Sequence, residues 1–278
     1  MCSCGLREDG SGILVSVSRG ISRAHNIPEA AATLRDDINS CRQKKLQTTT
    51  IIETNKECDL KEFQINFIAF ALKCEVLQFG SFVLKSGRTS PYFFNAGLFC
   101  SGNAMKSLGR YYAQALHDSG IEFDVIFGPA YKGIPLATAI GIAWYDLYNE
   151  DKDVSFNRKE VKDHGEGGNL IGAQMKAKRV VIVDDVISAG TAIRESLDVL
   201  KVAGAMVAGI VVSLDRQEVR SEEIRESAIQ QVMKDTGVPV VSIIKLKNLI
   251  SYLDSQQGTT MQQLEAIRAY RKEYGVEY

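Results

Sequence analysis

The chain has 278 residues, a length that allows one or two domains. Its 33 Lys and Arg nearly balance 34 Asp and Glu, so charge alone gives no general attraction to nucleic acid or to an anionic membrane. No apolar run approaches the roughly 20 residues of a membrane-spanning helix, and Ile13-Leu14-Val15 is too short for the core of a signal peptide.

Residues 1–60 are rich in Gly, Ser, Thr and Asn and have weak hydrophobic periodicity, with one short helix possible around 28–41. They read as a poorly ordered extension, or as sequence upstream of the translation start. Glu8, Asp9, Asp36 and Asp37 argue against an acid-poor transit peptide. The cysteines, at positions 2, 4, 41, 58, 74 and 100, form no C-x-x-C pair. Cys2 and Cys4 lack the further ligands of a zinc finger, so free thiols in a reducing cytoplasm are expected.

From residue 61 the pattern sharpens. Phe63, Phe67, Phe70 and Cys74 mark one helix face, which reads as core packing. The segment 79–95 reads as two short strands around a polar turn, and Lys85-Ser86-Gly87-Arg88 by itself is an ordinary hairpin tip. Leu108, Tyr112, Ala115 and Leu116 place a helix over 101–119, ended by Gly120. A buried strand at 125–127 leads into Gly128-Pro129-Ala130-Tyr131-Lys132-Gly133, then a helix through Leu136, Ile140, Ala143 and Leu147. Such a glycine-framed loop lets backbone approach an anion, with Lys132 as a compact charge, although most loops of this kind are structural. It is not a P-loop, because Ile134 stands where lysine is required.

A short strand at 154–156 precedes 157–169, where Arg158, Lys159, Lys162 and His164 alternate with Glu160, Asp163 and Glu166. Without an apolar period this segment reads as a solvated, flexible connection. Its glycines miss the G-x-G-x-x-G pattern because Leu170 holds the last position. Val180 to Val183, four consecutive apolar residues, read as a strand buried on both faces. Asp184 and Asp185 stand at its C-terminal end, and the small-residue turn at 188–191 opens a helix over 192–200. Backbone N–H groups at such a helix start form an anion site, while the carboxylates accept from sugar hydroxyls. A solvated turn and a metal-binding acid pair are the alternatives for Asp184 and Asp185. A strand over 205–214 ends in Asp215-Arg216, helices are expected over 219–234 and 261–274, and a strand over 238–244 precedes a helix through Leu249 and Leu253. The alternation predicts an α/β fold with a central parallel sheet flanked by helices.

The stretch 179–194 resembles the phosphoribosyl-diphosphate (PRPP) binding motif of type I phosphoribosyltransferases. The stretch 79–95 resembles the N-terminal hood of orotate phosphoribosyltransferases, in their compact bacterial form. The resemblance covers about 61–278 and implies a hood over about 61–100 and a core over about 101–278. It implies transfer of ribose 5-phosphate from PRPP to orotate, giving orotidine 5′-monophosphate and pyrophosphate. Lys85, Arg158, Lys162 and His164 would be catalytic. PRPP would be held by Lys85, Tyr131, Lys132, Arg158, Lys159, Lys162, His164, Asp184, Asp185, Val186, Ile187, Ser188, Ala189, Gly190, Thr191 and Ala192. Phe93, Phe94, Ser188 and Arg216 would hold orotate; Ser188 replaces the threonine frequent in the family and keeps the hydroxyl. Mg²⁺ would be bound through PRPP near Asp184 and Asp185, with no direct protein ligand assigned. The family further implies a cytoplasmic homodimer whose loop 158–168 reaches the partner's site, with no nucleic-acid or membrane partner. A relative acting on a purine or uracil, and a PRPP-sensing regulator without catalysis, are the rival expectations.

Overall fold

The computed structural model describes residues 26–29, 35, 39, 60–84, 86–162, 168–187, 190–221, 224–256 and 261–278, the side chains of 160–162 and 168 excepted. The chain divides into two compact units, Met1–Cys58 and Asp59–Tyr278. In the first, Asn26 Oδ1 accepts from the Glu29 N–H at 3.3 Å, and the expected helix around 28–41 is helical at its described positions 28, 29, 35 and 39. The expected disorder of 1–60 otherwise falls outside the described residues.

The second unit opens with α1 (Glu62–Lys73), which buries Phe67, Ile68 and Ala71, with Phe63, Phe70 and Cys74 packed against the same core. An antiparallel hairpin follows, β1 (Leu77–Val83) and β2 (Thr89–Phe94), in which Leu77 faces Phe94. Next come α2 (Gly102–Ser119), β3 (Val125–Gly128), α3 (Gly133–Tyr148), β4 (Asp153–Lys162), β5 (Gly168–Gly172) and β6 (Arg179–Val183). The chain then runs through α4 (Thr191–Val202), β7 (Met206–Asp215), α5 (Ala228–Thr236), β8 (Val240–Lys245), α6 (Leu246–Ser255) and α7 (Met261–Tyr274). Ser101 caps α2 by accepting from the Ala104 N–H, and Gly120, left-handed at φ 69°, ends it.

The central sheet has the order β5-β4-β3-β6-β7-β8; every neighbouring pair is parallel except β4 with β5. Side chains alternate across a strand, so the apolar run of β6 serves two cores. Val181 and Val183 join the cluster under α1, α2, α3, α6 and α7, while Val180 and Ile182 join that under α4 and α5. All four are fully buried, at roughly 1.5–3 kcal/mol for each large side chain. On the first face α2 and α3 approach closely, since a Cβ on Gly109 would stand 2.4 Å from the Ala139 carbonyl oxygen.

Two expectations are corrected. The strand expected at 154–156 extends through Lys162 and pairs with β5, with Asn157 opposite Leu170 and Lys162 opposite Gly168. An antiparallel edge pair satisfies its backbone without an apolar side-chain period, so polar residues hid it. The helix expected over 219–234 begins only at Ala228. Ser227 and Gln230 form a capping box there, and Val219 bridges Ser227, which keeps the preceding stretch out of the helix.

Candidate active site

Strands β3, β6 and β7 run parallel side by side, so their C-terminal ends share one edge. At the end of β3 the chain turns tightly into α3: a Cβ on Gly128 would stand 2.1 Å from the Gly133 carbonyl oxygen, which only glycine tolerates. The Ala130 N–H donates to Asn157 Oδ1 on β4 at 2.9 Å, and the Ala130–Tyr131 peptide is cis. This turn delivers Lys132 to the neighbouring strand end, where Nζ donates to Asp185 Oδ2 at 2.9 Å. That bond raises the lysine's pKa.

The two aspartates are tied down by backbone groups. Asp184 Oδ1 accepts from the Asp185 N–H and Asp185 Oδ1 from the Val186 N–H, each at 2.8 Å. Behind them the Tyr112 hydroxyl donates to the Asp184 carbonyl at 2.7 Å, and the Ser213 hydroxyl donates to the Asp185 carbonyl. Burial first, and the neighbouring Asp185 charge second, push the Asp184 carboxyl up to about 6. Two adjacent carboxylates in a partly buried site gain from an arriving cation or hydroxyl donor. A cavity of about 140 Å³ opens beside them, lined by Lys132, Asp185, Tyr112, Ser213, Leu136 and Gly97.

On the same edge Gly190, at φ 74°, starts α4, leaving Thr191 and Ala192 exposed in its first turn. Tyr131 is also exposed, and Lys159 Nζ lies 5.2 Å from its ring centroid. Arg216, just past β7, stacks on the Tyr92 ring at 4.5 Å and pairs with Glu218 at 2.7 Å. Tyr92 lies on β2 beside Phe93, whose ring stacks on Phe82 at 5.4 Å and is 37% exposed. Strand alternation turns the Phe94 ring inward, 6.5 Å from Phe67, where it packs in the core.

Residues 101–236 match the phosphoribosyl transferase domain. An orotate phosphoribosyltransferase of Pseudoalteromonas translucida (strain TAC 125) is 57% identical over 217 residues, covering 78% of this chain and 100% of that protein. This chain belongs to the orotate phosphoribosyltransferase family. The family member of Vibrio cholerae serotype O1 (strain ATCC 39315 / El Tor Inaba N16961) is 56% identical over 217 residues, with the same coverage. The crystal structure of the Francisella tularensis orotate phosphoribosyltransferase superposes with a TM-score of 0.69 at 42% identity, covering 76% of this chain and all of that one.

Of the residues that the resemblance to orotate phosphoribosyltransferases singles out, Lys132, Asp184 and Asp185 converge directly, and Tyr131, Lys159, Gly190, Thr191 and Arg216 follow strand ends of the same sheet or lie on its edge pair. Arg158 is half-buried on β4, and the backbone of Lys162 lies at the end of that strand. Lys85, His164, Ser188 and Ala189 lie outside the described residues, as does the Lys162 side chain. Sequence reasoning missed Tyr112, Asn157, Ser213 and Glu218. In the sequence Tyr112 contributes only to the helical spacing over 101–119, and it is fully buried; its one signal is a hydroxyl on a face where leucine would pack as well.

Proposed function

We infer that this chain transfers the ribose 5-phosphate group from PRPP to orotate, giving orotidine 5′-monophosphate and pyrophosphate in pyrimidine biosynthesis. Family membership supports the reaction. The observation that carries the site assignment is the 2.9 Å bond between Lys132 and Asp185, which joins the loops of two adjacent parallel strands.

In this reaction a ring nitrogen of orotate attacks ribose C1 and a new N–C bond forms, pyrophosphate departs with the electrons of the broken C–O bond, and the nitrogen's proton is released to solvent. Positive charge grows on the ribose and negative charge on the leaving group, so placement and electrostatics carry the catalysis. The Asp184 and Asp185 carboxylates would accept from the ribose hydroxyls. The N–H groups of the 186–192 turn, including Gly190, Thr191 and Ala192, would hold the 5-phosphate. Tyr131 and Lys132 would meet the pyrophosphate, and Arg158, Lys159, Lys162, His164 and Lys85 would offset its growing charge. Arg216, Phe93, the Phe94 backbone and the Ser188 hydroxyl would hold the base.

The donor set also fits Mg²⁺. Among the described residues no group of three or more His, Cys, Asp or Glu forms a protein cage. Two adjacent carboxylates suit an ion that keeps most of its shell from substrate oxygens and water. When bound, Mg²⁺ supplies neutralisation of the pyrophosphate charge.

A homodimer would let loop 158–168 reach a second site. Ile142 and Tyr145 are exposed on α3, and an apolar groove between α2 and α3 is lined by Met105, Pro135, Ala139 and Ile142. In keeping with a cytoplasmic enzyme, Cys74 and Cys100 are free thiols, and no described helix is long and apolar enough to cross a membrane.

Lys162→Ala tests the assignment. Turnover should fall by roughly 10²–10³-fold, the scale for removing a group that stabilises transition-state charge, while orotate affinity changes by less than about threefold. Turnover near the unmodified level would remove the loop from the mechanism.

A further inference from the structure

Arg216 is held from several sides. Glu218 Oε1 accepts from its Nε at 2.9 Å and makes an ion pair with its Nη2 at 2.7 Å. The Tyr92 ring lies against the guanidinium, and the Tyr92 hydroxyl donates to the same Glu218 oxygen at 3.0 Å. Nη2 also approaches Ser90 Oγ at 3.3 Å. The side chains of Arg216 and Glu218 are 22% and 12% exposed, so water contributes little to their orientation. Glu218 itself is fixed at the backbone by a bridge to Gly275, and the Gln217 N–H donates to Asp215 Oδ1 at 2.9 Å.

A guanidinium is planar and carries its five donors in a rigid fork. Here the Nε and Nη2 edge is engaged by Glu218, and the buried Tyr270 hydroxyl lies beside the same pair. An arginine free to rotate would lose that freedom on binding; one already fixed does not. We propose that Glu218 is a positioning residue for base recognition. It engages one edge of Arg216 so that the Nη1 end is presented to orotate in a fixed plane. Through the Tyr92 hydroxyl it locks that plane to the hairpin strand carrying Phe93. The proposal rests on the reading of Arg216 as the base-binding arginine.

Charge and geometry here make opposite demands. Orotate is an anion, so a glutamate beside Arg216 weakens its electrostatic pull. If charge were all that mattered, removing Glu218 would tighten orotate binding. If position matters, removing it loosens binding.

Steady-state kinetics with each substrate varied in turn, the other held saturating, separate the two. Glu218→Ala should raise the KM for orotate about 10–30-fold, with kcat and the KM for PRPP within about threefold. Glu218→Gln, which keeps the acceptor oxygen, should recover most of that loss. Tyr92→Phe keeps the ring and removes the hydroxyl, and should raise the same KM about 2–5-fold. In an Arg216→Ala background, adding Glu218→Ala should change the KM by less than about twofold, because the two act as a unit. An orotate KM unchanged or lowered in Glu218→Ala overturns the proposal. Should that variant fail to fold, Tyr92→Phe decides, and an unchanged KM there overturns it. If Arg216→Ala leaves the orotate KM unchanged, the base-binding reading of Arg216 falls. If Arg216→Ala raises it and Glu218→Ala does not, the positioning role alone falls.

Discussion

At the acid pair, the N–H groups of Asp185 and Val186 each bond to the carboxylate one residue earlier, whereas Arg216 reaches across 126 positions to Ser90. The first region is local: a strand end, a turn and a helix start, with Lys132 arriving from the adjacent loop. The second is assembled from the hairpin, the segment after β7 and, through the Glu218–Gly275 bridge, the chain beyond α7. Phosphate and ribose hydroxyls are common to every phosphoribosyl transfer, and backbone groups with two carboxylates suffice for them. A particular base demands side chains fixed in particular planes, and fixing them takes distant parts of the fold. The two regions should therefore fail in different ways when altered.

Arg216→Ala attacks the base region. The KM for orotate should rise about 10–100-fold, the scale of losing charged hydrogen bonds, while the KM for PRPP stays within about threefold. Equal damage to both constants would dissolve the distinction between the regions. Paired measurements of the two KM values provide the check.

Asp184→Asn examines the acid pair through stability. The carboxyl is raised from 3.8 to about 6, so between those values the folded chain holds a proton that the unfolded chain has released. Stability therefore falls as pH rises through this window, and the penalty is complete above about 6. At pH 8 the asparagine variant should be more stable by about 3 kcal/mol, and below pH 4 the gain should vanish. Urea unfolding at both pH values decides this; an equal effect at both would refute the burial and repulsion ascribed to the pair. The same substitution should lower activity, because the sugar loses a charged acceptor.

Deleting residues 1–58, the first compact unit, is expected to have the smallest effect. Activity and the melting midpoint of the remaining chain should stay close to those of the full chain. A collapse of either would make that unit part of the working domain.

The contrast also explains how far the amino-acid sequence could be read. Four adjacent apolar residues announce β6 because burial on both faces demands them, and Asp184, Asp185 and Gly190 follow within one short stretch. Lys132 was legible as a charge in a glycine-framed turn, although its contact with Asp185 required knowing that β3 and β6 are neighbours. The β4–β5 pair escaped notice because an edge hairpin can be polar along its length. Nothing in the residues around Glu218 marks it, since a glutamate just past a strand is ordinarily solvated. Its partners Tyr92 and Arg216 meet only once the hairpin is folded against the sheet.

The most direct measurement is the ultraviolet absorbance of orotate in the presence of the purified full chain, PRPP and Mg²⁺. The signal should change only when both PRPP and Mg²⁺ are present, with orotidine 5′-monophosphate and pyrophosphate formed in equal amounts. Orotate left unchanged under those conditions, or PRPP consumed with a purine in its place, would contradict the account.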